Sequence, residues 1–368
     1  MATPIRPNVL NMVPYVPGRP IDEVKEELGL QHVIKLASNE NPLGPSPKAV
    51  AALKDAVEDL HVYPDGATAA LKKALAAKFG VAENTLILGN GSDELIHLLG
   101  LVFLEGPAHD VVIGDPSFVR YDASAQLAGS HLIRIPLTHS MRYDLPAMLK
   151  AVNEKTRIVF LANPNNPTGD MVKRSELREF LKDLPRAVTL LIDEAYYEFA
   201  ADDSEYPSSL EFIAAGFNVV GLRTFSKAYG LAGIRLGYGF APPKVADAVN
   251  RAREPFNVNS LAQIAGIAAL SDDEHVRRTV RMNHEEIKVV AKHLAEHGVK
   301  VYPSWANFVF ADFGRPSRPI YDALLEQGII VRPGEAFGKP TFLRISIGTP
   351  DENRALGRAL GRAVAAVV

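Results

Sequence analysis

Lys227 lies in Thr224-Phe-Ser-Lys-Ala-Tyr-Gly230, directly after the apolar run Val219–Leu222. An amine just beyond a buried strand, partly desolvated, keeps a usable free-base fraction and can bond an electrophilic carbonyl. A solvated lysine can carry the same local sequence, so its neighbours must decide. Asp193 ends the run Leu190-Leu-Ile-Asp193 and is followed by Glu194-Ala-Tyr196. Buried charge is costly unless paired. Such a carboxylate either caps a turn or pairs with a protonated ring nitrogen, which makes that ring an electron sink. Tyr196, three residues on, can hydrogen-bond an oxygen of the same ring.

Asn163-Pro-Asn-Asn-Pro-Thr-Gly169 is a rigid turn by composition, and its Asn166 amide is the group expected to reach that oxygen too. Gly89-Asn-Gly-Ser-Asp-Glu94 precedes the apolar stretch Leu95–Leu104. Gly91 and Ser92 there would open a helix with free backbone N–H groups, suited to a phosphate. Ser92 or Asp93 could equally serve as a plain cap. Ser226 and Arg235, beside and eight residues beyond Lys227, can add a hydroxyl and a guanidinium to the same anion. Phe118, in Asp115-Pro-Ser-Phe118, is placed to stack on an aromatic ring, although core packing is the commoner use of a lone Phe.

These motifs share a position: each follows a short apolar run. The runs are Leu86–Leu88, Val111–Ile113, Ile158–Leu161, Leu190–Ile192 and Val219–Leu222, separated by amphipathic stretches. That alternation predicts an α/β fold with a mainly parallel central sheet sandwiched by helices. In such sheets ligands bind beyond the carboxyl ends of the strands, so one large site is expected. After residue 245 a helix-rich stretch leads to strand-like pieces near Val301, Asn307–Ala311, Ile329–Val331 and Leu343–Ser346, which predicts a smaller α+β C-terminal domain. We therefore expect an N-terminal arm over 1–32, packing on the small domain or a partner, a large domain over 33–245 and a small domain over 246–368.

Composition narrows the classes. At 368 residues the chain exceeds the size of one growing core, and Lys plus Arg number 40 against 43 Asp plus Glu, a net charge of -3. No electrostatic case remains for nucleic-acid binding or a polybasic membrane anchor. Cysteine is absent, which removes thiolate metal sites and cysteine nucleophiles. The first twenty residues hold five prolines and no apolar core, so no signal peptide is expected and a cytoplasmic location is.

Thr224–Gly239 resembles the Schiff-base lysine segment of fold-type I pyridoxal-phosphate (PLP) aminotransferases, with Asn163–Gly169 and Asp193–Phe199 similar to its ring-binding loop and pyridinium-partner strand. The order matches as well: Asp193 follows Asn166 by 27 residues and Lys227 follows Asp193 by 34. A closer resemblance is to histidinol-phosphate aminotransferases, through Asn39–Pro42, Tyr63–Asp65, Gly91–Glu94, Ala306–Phe308, Ile329–Arg332 and Leu343–Gly348. It implies transamination of L-histidinol phosphate with 2-oxoglutarate in histidine biosynthesis, with PLP on Lys227. Asp93 and Thr224 join the cofactor contacts on the same ground. The resemblance also implies a homodimer in which Tyr63 reaches the partner's cofactor phosphate. Arg344 would take a substrate carboxylate; Arg332, Tyr15 and Asn307 would line the substrate pocket, with Asn41 a further contact.

An aromatic amino-acid aminotransferase would carry nearly the same motifs, and a phosphothreonine-type decarboxylase would share the cofactor. A regulatory module without turnover is disfavoured by the intact lysine. No GxGxxG follows the first strand, against a nicotinamide dehydrogenase. His284-Glu-Glu-Ile-Lys288 lacks the second histidine of a zinc motif, so no metal is expected. Arg120, close after Phe118, has no assigned role.

Overall fold

Short β-branched and leucine-rich runs form the interior of the large sheet, because strands covered on both faces can be apolar throughout. The computed structural model of the chain describes residues 4–366. Its strands are β1 (Ile34–Lys35), β2 (Leu86–Asn90), β3 (Asp110–Asp115), β4 (His131–Pro136), β5 (Thr156–Ala162), β6 (Thr189–Asp193), β7 (Val219–Thr224), β8 (Leu236–Phe240), β9 (Lys300–Val301), β10 (Phe308–Asp312), β11 (Ile329–Ile330), β12 (Arg332–Pro333) and β13 (Phe342–Ser346). Seven of them make the large sheet in the order β2-β8-β7-β6-β5-β3-β4. All its pairings are parallel except those of β8, which runs antiparallel to both β2 and β7.

Side chains alternate across this sheet as the pleat requires. On β5, Ile158 and Phe160 join the core with Leu95, Leu99 and Val220. Val159 and Leu161 face the other way, against Leu177 and Phe180. Two strands were not among the five expected runs. β4 lies at the sheet edge, half-exposed along its length, so its apolar signal is diluted. β8 carries glycines that permit close packing: a Cβ on Gly237 would stand 2.3 Å from the Ser92 backbone nitrogen.

The smaller unit is a four-stranded antiparallel sheet, β12-β13-β10-β9, covered by the long helix Asp273–Ala295, Arg318–Glu326 and the C-terminal helix Pro350–Ala366. Asp273 and Glu274 start the long helix and Lys292 and His293 end it, matching its dipole. β1 pairs in parallel with β11, and Val24 and Leu36 enter the small core beside Val309, Ile345 and Leu356. The arm touches both domains within one chain. Asn8 donates to the Gln126 and Leu127 carbonyls, so residues near its start sit on the large domain, while residues from about Ile21 join the small one.

Large-domain packing continues past the expected boundary at 245/246. Ala246 and Val249 pack in one large-domain core and Ala262, Ala265 and Leu270 in another, with Leu71 and Phe225. This packing supports a division nearer Asp272; the outermost residues of the expected arm and small domain lie outside the described ones. Among the described residues no helix is long and apolar enough to cross a membrane.

Candidate active site

Strand register brings the motifs together. Asp193 pairs with Ala162 and Leu222, so the carboxyl ends of β5, β6 and β7 finish level. The loops leaving those ends enclose a cavity of about 280 Å³. Ser92, Asp93, Phe118, Asn166, Asp193, Tyr196, Thr224, Ser226, Lys227 and Arg235 all line it, and Tyr15, Arg332 and Arg344 close its small-domain side.

Lys227 extends into this space with Nζ 3.4 Å from the Ser38 carbonyl. Burial, helped by the charge of Arg344, brings its ammonium down to about 8 from an ordinary 10.5. On the order of a tenth is thus free base at pH 7, far more than an ordinary lysine keeps, and a nucleophile toward a carbonyl needs that form. Asp193 is 5% exposed. Burial raises it to about 6, while a hydrogen bond from the Tyr121 hydroxyl (2.9 Å) and one from the Ala195 N–H (3.1 Å) pull the other way.

Tyr196 is held by Asn39, whose Nδ2 donates to its hydroxyl at 2.9 Å. Asn166 offers its Oδ1 to Arg344 Nη1 at 2.6 Å, and Arg344 Nη2 donates to the Ala37 carbonyl. Arg344 Nε–H is buried without a hydrogen-bond partner among the described residues. Burial lowers this guanidinium to about 10.

At the opposite end, Gly91 (φ 77°) starts the helix Gly91–Phe103. Neither Ser92 nor Asp93 is its cap: Asn90 stands at that position and makes no side-chain capping bond. The first-turn N–H groups therefore remain available to an anion. Arg235, itself left-handed (φ 58°), sits over Gly91, where a Cβ would meet its Nη2 at 2.4 Å. The same guanidinium reaches Ser226 Oγ and Asp93 at 3.5 Å each.

Two expected substrate contacts lie outside the cavity lining, and Tyr63, expected to serve the partner's site, lies at the surface. Asn41 turns away from the cavity, its amide donating to the Ala228 carbonyl and to Thr279 Oγ1. The cause is Asn39, whose left-handed backbone (φ 54°) breaks the alternation of the extended chain. Asn307 is 2% exposed behind the cavity wall, where it donates to the Asn39 carbonyl. Tyr63 stands 80% exposed on the surface, stacked on Phe256. Arg120, for which no role was expected, is not among the lining residues.

Sequence reasoning missed Tyr121 and Asn39. Tyr121 lies one helical turn after Phe118, a spacing that puts both on one face. Asn39 belongs to a motif already singled out, but only its φ angle distinguishes it from Asn41.

A lysine, a buried carboxylate and an anion cradle around one strand-end cavity define an enzyme that handles an anionic, electrophilic ring compound. A family model described as aminotransferase class I and II matches residues 31–360, and the chain belongs to that family. It is 48% identical over 356 residues, covering 96% of this chain and 92% of the other, to a histidinol-phosphate aminotransferase of Moorella thermoacetica. A histidinol-phosphate aminotransferase 2 of Carboxydothermus hydrogenoformans is 47% identical, covering 95% and 96%. Among solved structures, the histidinol-phosphate aminotransferase of Sinorhizobium meliloti in complex with pyridoxal-5'-phosphate superposes with a TM-score of 0.92, at 28% identity over 100% of this chain and 99% of that one.

Proposed function

We propose that this chain catalyses PLP-dependent transamination of L-histidinol phosphate with 2-oxoglutarate, giving imidazole-acetol phosphate and L-glutamate, a step of histidine biosynthesis. The observation that carries this reading is the convergence of Lys227, Asp193, Asn166 and Arg344 on one cavity, in a chain whose relatives at 47% and 48% identity bear that name.

The chain's own residues suit PLP on two observations. Asp193 is a buried carboxylate facing the cavity, and a protonated ring nitrogen is the partner such a group requires. Gly91 and Gly237 keep backbone and Arg235 close enough to form an anion cradle that a Cβ at either position would fill. When bound, PLP supplies an aldehyde for the amino group and a pyridinium ring that stabilises negative charge at the substrate carbon.

Asp193 would hold the proton on the ring nitrogen. Phe118 would lie against the ring, and Tyr196 and Asn166 would hold its phenolic oxygen. Thr224, Ser226, Arg235 and the N–H groups of Gly91, Ser92 and Asp93 would hold the phosphate. Lys227 Nζ would be the base that takes the proton from the substrate carbon in one half-reaction and the acid that returns a proton to that position in the other. Arg344 holds the carboxylate of glutamate or 2-oxoglutarate. Arg332 and Tyr15 form the outer wall, where a cation suits the anionic end of either substrate.

The functional unit in this reading is a cytoplasmic homodimer, with Tyr63 completing the partner's phosphate site. What supports the dimer is a run of exposed apolar side chains around that tyrosine: Val57, Leu60 and Val62.

Half-reactions test the substrate. The PLP-loaded protein is mixed separately with histidinol phosphate, phenylalanine and phosphothreonine, and loss of the visible cofactor band is followed. Histidinol phosphate should convert it fastest; faster conversion by phenylalanine would replace this reading with an aromatic aminotransferase. Lys227→Ala should lose both the band and turnover.

A further inference from the structure

We infer that Tyr121 is a positioning residue, which holds the Asp193 carboxylate oriented and ionised toward the cofactor's ring nitrogen. This rests on the PLP reading above. The geometry is specific. Tyr121 is wholly buried, and its hydroxyl donates to Asp193 Oδ2 at 2.9 Å while the Ala195 N–H takes Oδ1 at 3.1 Å. Each carboxylate oxygen thus has one donor, and the edge that remains faces the cavity.

The ring that carries this hydroxyl cannot swing. It stacks on Phe160 with centroids 4.6 Å apart and planes 7° apart, and Phe118 meets it edge-on at 5.8 Å. The helix Val119–Ala128 and the residue before it therefore supply two things: Phe118 for the ring face and Tyr121 for the group behind the ring nitrogen.

Burial opposes the ionisation of Asp193 most, and the negative charges of Asp93, at the head of the helix Gly91–Phe103, and Glu194, next along the chain, add to it. The Tyr121 hydroxyl is the stronger and the Ala195 N–H the weaker of the two donors that act the other way. Tyr196 and Tyr143, from their own elements, bring no positive charge. Lys227 and Arg344 face the same cavity from its other walls. Tyr121 is the side chain that donates directly to the carboxylate among the described residues. A hydrogen bond to the charged form favours it, and removing that bond moves the titration upward.

The test is PLP binding by the apoprotein between pH 5 and 8, read from the visible band and from the dissociation constant at each pH. In the wild type, affinity falls on the acid side as Asp193 takes up a proton. In Tyr121→Phe the midpoint of that fall should move up by about one pH unit. The phosphate's own ionisation is common to both proteins and cancels in the comparison. Phe160→Leu, which loosens the same stack but keeps the hydroxyl, should move the midpoint by clearly less than Tyr121→Phe does. An unmoved midpoint in Tyr121→Phe, or an equal shift in Phe160→Leu, would overturn the assignment. If the wild-type chain bound no PLP at any pH, the proposed function would fall, and this inference with it.

Discussion

Arg344 Nη1 donates to Asn166 Oδ1 at 2.6 Å, tying β13 of the small domain to the loop that follows β5 of the large one. Both residues line the same cavity, where the proposed reading gives Arg344 the substrate carboxylate and Asn166 the cofactor oxygen.

Because a guanidinium can hold Asn166, the Ala37 carbonyl and a carboxylate together, lysine is a poor replacement. Arg344→Lys should raise the KM for 2-oxoglutarate roughly 10- to 100-fold. Steady-state kinetics with varied 2-oxoglutarate measure this; an unchanged KM would remove Arg344 from the substrate's binding set.

Lys227 gives a pH-dependent stability with a definite sign. Its folded value, about 8, lies below the ordinary 10.5, so charge on this amine destabilises the folded apoprotein. The cost is full below about 8 and disappears as pH rises from 8 to 10.5, where the unfolded chain loses its proton too. Lys227→Met should therefore stabilise the apoprotein at pH 7 by about 1–3 kcal/mol, with the gain shrinking above pH 8. Urea unfolding at several pH values reads both.

Glu194 and Arg223 form an ion pair at 2.9 Å with both side chains fully buried, directly beside Asp193 and Thr224. Glu194 also accepts from Ser209, and Tyr197 covers the guanidinium at 3.3 Å. Removing one partner strands a buried charge. Arg223→Met alone should cost about 3–5 kcal/mol, and adding Glu194→Gln should recover part of it. A double-mutant cycle by denaturant unfolding gives the coupling.

Leu60 and Val62 are 58% and 57% exposed in the single chain and flank Tyr63. Leu60→Asp with Val62→Asp should yield a monomer by sedimentation, with PLP affinity reduced about tenfold or more as each site loses the partner's tyrosine. A variant that stays dimeric would put the interface elsewhere.

Local patterns made much of this protein legible. Five buried strands announced themselves as apolar runs, and the motifs behind them marked the ligand edge of the sheet. The antiparallel β8 did not, because its signal is Gly237 and Gly239, whose use is the close approach of backbone from other elements. Asn41 and Asn307 were expected at the substrate and instead brace the loop carrying Asn39 and the turn after Lys227.

By itself the sequence determined which chemical groups are present, in what order, and that strand ends would gather them. Those are consequences of periodicity and turn chemistry, which act over a few residues. Tertiary structure alone decided the charge states and the pairings. Asp193 titrates high because it is buried, and Tyr121 finds it across 72 residues of chain. Arg344 meets Asn166 across 178. Burial and long-range hydrogen bonds depend on what the whole fold brings near, and no window of neighbouring residues contains that.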